Sequence, residues 1–291
     1  MNEPLALRAR AEEEAGQLPA LLARAERLAG TVLLGEHGRR RAGMGDDFWQ
    51  YRPVREGDSR RMIDHRRSAR GDIQFVRERE WQIAQTVIMW IDQGASMRYA
   101  SDGVAETKIQ RARLLGLAMS ILLVRGGERV GLTGTTLPPR RGNAQIVRLA
   151  EMLTRDSDED YALPEHRAMI PHARAVFVSD FLNDFEEVKL ALTKAADRGV
   201  RGALYQVLDP SEESFPYQGR TIFRSIGGSL SHETLKAGEL RTRYRDRLAA
   251  RRDELQALCR ATGWQFGVHH TNDSAQSALI WLYHALDGSR R

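Results

Sequence analysis

Three side chains are the first candidates for chemistry: Asp92 and Ser96 in the run Asp92-Gln93-Gly94-Ala95-Ser96-Met97, and Asp180 in Ser179-Asp180. Each run follows an apolar stretch directly, TVIMWI at 86–91 and ARAVFV at 173–178. Carboxylate and hydroxyl oxygens are hard ligands, suited to Mg²⁺ or a similar cation that keeps open positions for a partner. The same residues also have plainer uses. Asp92 would cap the turn after it, Ser96 would be a helix N-cap, and Asp180 would cap a helix opening near Asp184.

Other reactive types carry less. His269-His270 ends a strand pattern, where neighbouring side chains face opposite sides of a sheet, so at most one would meet a shared ion. Cys259 is the only cysteine, which excludes an intrachain disulfide and Cys-rich zinc sites. Its place on the apolar side of a helix reads as a buried, inert thiol. Gly126-Gly127 and Gly227-Gly228 read as turns, and no phosphate-binding glycine loop follows a strand. No nucleophile has its base at a diagnostic spacing.

The elements that must position these residues follow from periodicity. The run at 86–91 is too short for a helix and apolar on both faces, as in a strand buried in a parallel sheet. Comparable runs recur at Arg129–Leu132, Ala175–Ser179, Gly202–Leu208 and Trp264–Val268, with helical patterns between them, such as Ile109, Ala112, Leu115, Met119 and Leu122. Strands alternating with helices imply right-handed crossovers and a doubly wound, mostly parallel α/β fold, with ligands at the carboxyl ends of the strands. If the first and third strands are neighbours, Asp92, Ser96 and Asp180 converge at one edge.

Upstream, Leu18, Leu21, Leu22, Ala25 and Leu28 predict a helix, and Gly35, Gly38, Arg39, Arg40, Arg41, Gly43 and Gly45 predict a loop. Alternation from Ile73 predicts a strand running toward Trp81. The expected division is an N-terminal helical and loop extension over 1–80 and an α/β domain over 81–291.

Composition narrows the function classes. The 291 residues hold 44 Lys and Arg against 39 Asp and Glu, a net charge of +5. The cations are interspersed with acids and not gathered in one run, so nucleic acid is not demanded. No apolar run approaches the roughly 20 residues of a membrane span, and three successive Glu near the N-terminus oppose a signal peptide. The expectation is a cytoplasmic protein whose link to a membrane, if it has one, runs through a membrane-protein partner.

The densest signal is FWQYRPVREGDSRRMIDHRRSARGDIQFVRERE, residues 48–80. It resembles the hallmark stretch of the family called domain of unknown function fifty-eight. The matching residues are Arg52, Gly57, Asp58, Arg60 or Arg61, Ile63, Asp64, Ser68, Ala69, Arg70, Val76, Arg77 and Glu78, with His65 where the family has Trp. The likeness continues through TVIMWIDQGASM, Thr107-Lys108, GERVGL and GWQF. DQGASM also resembles the metal-ion-dependent adhesion site of von Willebrand A domains, with Gly94 where that site has its first serine. A completing Thr would come from Thr133, Thr135 or Thr136.

The resemblance implies a von Willebrand A-like, non-enzymatic adaptor of a MoxR-type AAA+ ATPase, acting on client proteins in their maturation or in metal or cofactor insertion. No cofactor is required on this reading, and Mg²⁺ is the candidate at a degenerate site of Asp92, Ser96 and Asp180. Two other classes stand beside it: a metal-assisted hydrolase using Asp92, Asp180 and a His such as His269, and a nucleic-acid binder using the Arg-rich segment. Within 48–80 the acids and cations read as an internal network, with Asp58 and Asp64 receiving bidentate bonds from Arg60, Arg66 or Arg70 and locking the N-terminal segment to the sheet, and direct contact of these residues with a partner is the alternative.

Overall fold

In the computed structural model the described residues are 18–32, 40–43, 47–55, 58–69, 71, 73–82, 84–155, 157, 159–165, 169–224 and 231–287. Gly57 and Arg70 of the signature stretch lie outside them, as do Gly35, Gly38 and Arg39. The chain divides into two compact units, one of residues 35–85 and one of residues 1–34 with 86–291. The leucine-patterned segment forms helix α1 (18–30), which belongs to the second of these.

Unit 35–85 is a three-stranded antiparallel sheet of β1 (Arg40–Gly43), β2 (Asp47–Pro53) and, after the short helix α2 (His65–Ser68), β3 (Phe75–Gln82), in the order β1-β3-β2. Arg40–Gly43, expected as loop, is a strand because it pairs with β3 from Arg40↔Gln82 to Gly43↔Arg79. Strand formation depends on such neighbours more than on intrinsic preference.

The acid network of the signature stretch is internal, but its partners differ from those expected. Arg52 at the end of β2 grips Asp58 with both terminal nitrogens, at 2.6 and 2.7 Å, and the Arg55 backbone N–H donates to the same carboxylate at 2.7 Å. This bidentate clasp holds the Asp58 carboxyl well below the usual carboxylate range. Arg60 and Arg66 are exposed. Asp64 caps α2 by accepting from the Arg67 backbone N–H at 2.9 Å. The Ser68 hydroxyl donates to the Asp64 carbonyl at 2.7 Å and accepts from the Phe75 N–H at 2.9 Å, tying α2 to β3. The Arg67 guanidinium lies over the rings of Tyr51 and Phe75. Sequence distance explains the choice of Arg52: it stands six residues before Asp58, and the Asp58 N–H returns to the Arg55 carbonyl at 3.1 Å, which brings the carboxylate back to the end of β2.

The other unit runs β4 (Thr86–Ile91), α3 (Lys108–Arg125), β5 (Arg129–Leu132), α4 (Asn143–Leu153), β6 (Arg174–Ser179), α5 (Phe185–Asp197), β7 (Arg201–Leu208), α6 (Pro210–Ser214), β8 (Thr221–Arg224), β9 (Ser231–Thr234), α7 (Ala237–Thr262), β10 (Gln265–His270) and α8 (Ala275–Asp287). Five strands form one sheet, β10-β7-β6-β4-β5, with every neighbouring pair parallel. This is the expected doubly wound α/β fold. Strands β8 and β9 make a separate antiparallel pair.

Alternation along the strands fills two cores. Val87, Met89, Ile91, Val176, Val178, Tyr205 and Val207 pack with α3, α4, α8 and Ala25 and Ala29 of α1. Trp90, Ala175, Phe177 and Leu204 pack with α5 and α7. Helix α3 is buried nearly throughout, from Lys108 to Leu123. Among the described residues no helix is long and apolar enough to cross a membrane.

After β4 the chain steps outward to β5, then returns to build β6 on the other side of β4. The carboxyl ends of β4 and β6 therefore form the switch point, where the crossovers diverge and leave a crevice that ligands use in this architecture.

Candidate functional site

The tips of β4 and β6 carry Asp92 and Asp180, and the sheet brings them together. The Asp92 N–H donates to the Val178 carbonyl at 2.9 Å, which continues the β4–β6 pairing past the strand end. One Asp92 oxygen accepts from the Gly94 N–H at 2.8 Å and the other from the Ser179 hydroxyl at 2.6 Å. Ser179 in turn accepts from the Phe181 N–H at 3.0 Å. Asp180 accepts from the Leu182 N–H at 3.1 Å, and its carbonyl takes the Gln206 amide of β7 at 2.8 Å. Phe181 holds a left-handed backbone, φ 51°, to make this turn. A bulky residue there costs roughly 1–3 kcal/mol, a strain that persists only where the surroundings fix it.

A lysine joins Asp180 to a third acid, Glu212. Thr107 caps α3 in a capping box with Gln110, and Lys108 is the first helical residue after it. Its ammonium lies 2.7 Å from Asp180 Oδ2 and 2.6 Å from Glu212 Oε1. The other Glu212 oxygen accepts from the Asp209 N–H at 2.8 Å, closing a second capping box at α6. Asp209 also accepts from the Ser101 N–H at 3.0 Å, so the loops after β4 and β7 share one set of bonds.

Burial sets the electrostatics. Asp92, Lys108 and Asp180 are each 1% exposed. Burial and then the nearby Asp180 charge push the Asp92 carboxyl up to about 7. Burial opposes the Lys108 ammonium, yet the carboxylates of Asp180 and Glu212 outweigh it and hold the amine above its usual range.

An open hollow of about 210 Å³ sits on this cluster. Its walls include Tyr99, Tyr161, Tyr217, Phe223 and Tyr244, and Lys108, Asp160, Asp180 and Glu212 also line it. Tyr99 and Tyr217 share a hydrogen bond of 2.5 Å, and both hydroxyls reach Ser211, at 2.9 and 3.2 Å. Phe215, left-handed at φ 46°, packs against Tyr217, Phe223 and Tyr244. Burial raises the phenols of Tyr99, Tyr161 and Tyr244, so the walls are neutral.

Ser96 reaches the same hollow but is not an N-cap. It lies inside a 3₁₀ turn, Ala95–Arg98, whose cap position is Gly94, and its hydroxyl is buried without a hydrogen-bond partner. Asp184, not Asp180, caps α5 through the Glu186 N–H. Thr133 is also buried with an unpartnered hydroxyl, but it lines a separate hollow with Gln93 and Arg155. Thr135 is spent on the Leu132 carbonyl. The two histidines diverge: His269 is 3% exposed and takes an Arg111 N–H at 3.0 Å, while His270 pairs with Glu213. Burial and Arg111 push His269 down to about 4. Cys259 is buried, its thiol raised to about 12.

This donor set does not fit an adhesion-type divalent cation. Every oxygen of Asp92 and Asp180 already accepts a bond, and an ammonium is seated between Asp180 and Glu212. A Cβ at Gly94 would meet the Ala162 nitrogen at 2.8 Å and the Asp160 carbonyl at 3.0 Å, so the missing serine has no room. Among the described residues no group of three or more His, Cys, Asp or Glu is placed to hold a metal.

Sequence reasoning missed Ser179, Glu212 and the role of Lys108. Asp209-Pro210-Ser211-Glu212 carries a legible capping signature after β7, and Lys108 directly follows a capping Thr. Neither signal says that the two helix starts face each other.

The chain is similar to the crystal structure of the conserved hypothetical protein BatB from Bacteroides thetaiotaomicron, at 17% identity and a TM-score of 0.46, covering 71% of this chain and 100% of that one. It is similar to an aerotolerance-related membrane protein from Bacteroides fragilis at 16% identity and a TM-score of 0.46, covering 70% and 99%. No curated protein sequence matches. The family model described as "Protein of unknown function DUF58" matches residues 50–254, well over half of the sequence, and the chain belongs to that family.

Proposed function

We propose that this chain is a non-enzymatic, cytoplasmic protein-binding module, an adaptor or co-chaperone of a MoxR-type AAA+ ATPase in the maturation of client proteins, including metal or cofactor insertion. One observation carries the reading: the switch-point edge holds its acids closed by Lys108 and Ser179, beneath an open hollow with aromatic walls. An edge built this way suits recognition of a surface group, and Asp92, the carboxyl raised to about 7, is 1% exposed and bonded to Ser179 and Gly94. Aromatic side chains in a desolvated pocket are typical anchors of protein interfaces. No metal is needed on this reading, because Lys108 already supplies the positive charge between the acids.

A hydrolase would need a base beside the strand tips. His269 is the penultimate residue of β10, which β7 separates from β6, and its Nε2 is occupied by Arg111. The geometry therefore favours binding.

The test is co-purification of the full chain from its native cells with identification of what elutes, followed by ATPase assays with the captured partner. Recovery of a MoxR-type ATPase whose hydrolysis rate changes on addition of this chain is the expected result. Its absence from the eluate, with no effect of the chain on the purified ATPase, overturns the reading.

A further inference from the structure

We propose that the hollow between the β8–β9 pair and the first half of α7 docks a short acidic segment of a protein partner, with a carboxylate beside an aromatic side chain. The inference deepens the adaptor reading and rests on it only for the partner being a protein.

The floor is aromatic and fixed. A cavity of about 420 Å³ lies there, lined below by Phe215, Phe223, Leu240 and Tyr244. Phe215 is 5% exposed, and its ring centre stands 5.6 Å from that of Phe223 and 4.9 Å from that of Tyr244. The volume falls within the ~300–1,000 Å³ of sites that enclose a ligand, with room for one large side chain and the main chain beside it.

The rim is cationic. Arg243, Arg247 and His232, all exposed, line the same hollow. Arg243 and Arg247 stand four residues apart on α7, so the two side chains are neighbours and repel each other. Arg241 adds a guanidinium alongside, its Nε donating to the Phe215 carbonyl at 3.0 Å.

The chain's own acids do not offset these charges. Among the described residues no acid pairs with Arg243 or Arg247. Glu239, one turn before Arg243, is held by Lys236 at 2.7 Å. Glu233 is held by Arg220 at 2.7 Å, and it faces away from Phe223 because it lies opposite Ile222 in the hairpin. Asp180 and Glu212 share Lys108 in the adjoining hollow, and Glu213 is clasped by Arg252. Asp246, between the two arginines on α7, is not part of the lining. The link from β8 to β9, Ser-Ile-Gly-Gly-Ser-Leu at 225–230, contains no charged residue.

A carboxylate entering between Arg243 and Arg247 relieves their repulsion and accepts the paired bonds that guanidinium makes best. An aromatic side chain next to it covers the floor. A nucleic-acid strand fits less well, since its phosphates need a continuous cationic track, and Asp246, Asp253 and Glu254 interrupt the arginines of α7.

The experiment titrates the full chain by NMR with the blocked peptide Gly-Glu-Phe-Glu-Gly. Controls are the same peptide with glutamine for both glutamates, the same with serine for phenylalanine, and a short oligothymidylate. Saturable binding of the parent peptide in the roughly millimolar range or tighter is expected, with both altered peptides at least about fivefold weaker. Arg243→Gln and Arg247→Gln, at exposed positions, should each weaken the parent peptide about fivefold, the upper scale of one exposed ion pair. Arg245→Gln makes the same change in net charge outside the hollow and should leave binding as it is. No saturable binding, equal binding of the glutamine peptide, or equal losses from Arg245→Gln and Arg243→Gln would overturn the proposal. Tighter binding of the oligothymidylate than of the peptide would overturn it in favour of nucleic acid. Peptide binding of the expected pattern in a chain that neither captures nor affects an ATPase leaves this site standing and removes only the adaptor reading, whereas ATPase capture without peptide binding removes only this site.

Discussion

Lys108 Nζ lies 2.7 Å from Asp180 Oδ2 with both side chains 1% exposed, so the first residue of α3 is ion-paired to the residue that follows β6. The pair crosses 72 residues of sequence. It joins the two elements that define the switch point.

Removing that ammonium should be costly. Lys108→Met strands Asp180 and Glu212, and breaking one side of a buried pair typically costs about 3–5 kcal/mol. Urea unfolding of the variant against the parent measures it, and a loss under about 1 kcal/mol would show the pair to be incidental. Mg²⁺ is expected to leave the melting temperature of both proteins unchanged, because the Asp92 oxygens stay bonded to Gly94 and Ser179 in the variant.

Stability should depend on the protonation of Asp92. Burial and the neighbouring Asp180 charge raise its carboxyl to about 7 in the folded chain, against about 3.8 for an exposed aspartate. The folded state therefore binds more protons between those values, and this residue's contribution is full below about 4 and is lost as pH rises through about 7. Asp92→Asn keeps a neutral group beside Ser179 and Gly94. Denaturant titrations from pH 4 to 8 should show the parent losing stability relative to the variant as pH rises, and parallel curves would remove the claim.

Restoring the serine pattern should not restore a metal site. Gly94→Ser places a Cβ against the Ala162 nitrogen and the Asp160 carbonyl, so the loop after α4 must give way. A lower melting temperature and no calorimetric Mg²⁺ binding are expected. Tight Mg²⁺ binding by this variant would mean that Lys108 yields to a dication.

In the small antiparallel unit, Arg52→Lys should loosen the turn that Asp58 closes. An ammonium cannot make the two parallel bonds of 2.6 and 2.7 Å that the guanidinium makes. Faster amide exchange at Arg55 and Asp58, with little change in the parallel sheet, is the outcome to look for.

The parallel strands, their alternation with helices and the pairing of Asp92 with Asp180 were legible in the sequence. Short apolar runs ending in acids can be read locally, and the winding rules of α/β sheets leave few ways to arrange them. The strand at Arg40–Gly43 and the β8–β9 pair were not legible, because each exists through a partner strand and not through its own composition. The choice of Arg52 over Arg60 or Arg66 for Asp58 was likewise a matter of turn geometry that residue types leave open.

By itself the sequence determined the layered fold and the acidic edge, since burial periodicity and strand-end residues are properties of neighbours along the chain. Only the tertiary structure decided what that edge is. Lys108, Ser179 and Glu212 come from three separate segments, and they meet at Asp92 and Asp180 because the sheet order sets the starts of α3 and α6 over the same pair of strand tips. A charge cluster of this kind is fixed by distances of a few ångströms between remote residues, which no local pattern encodes.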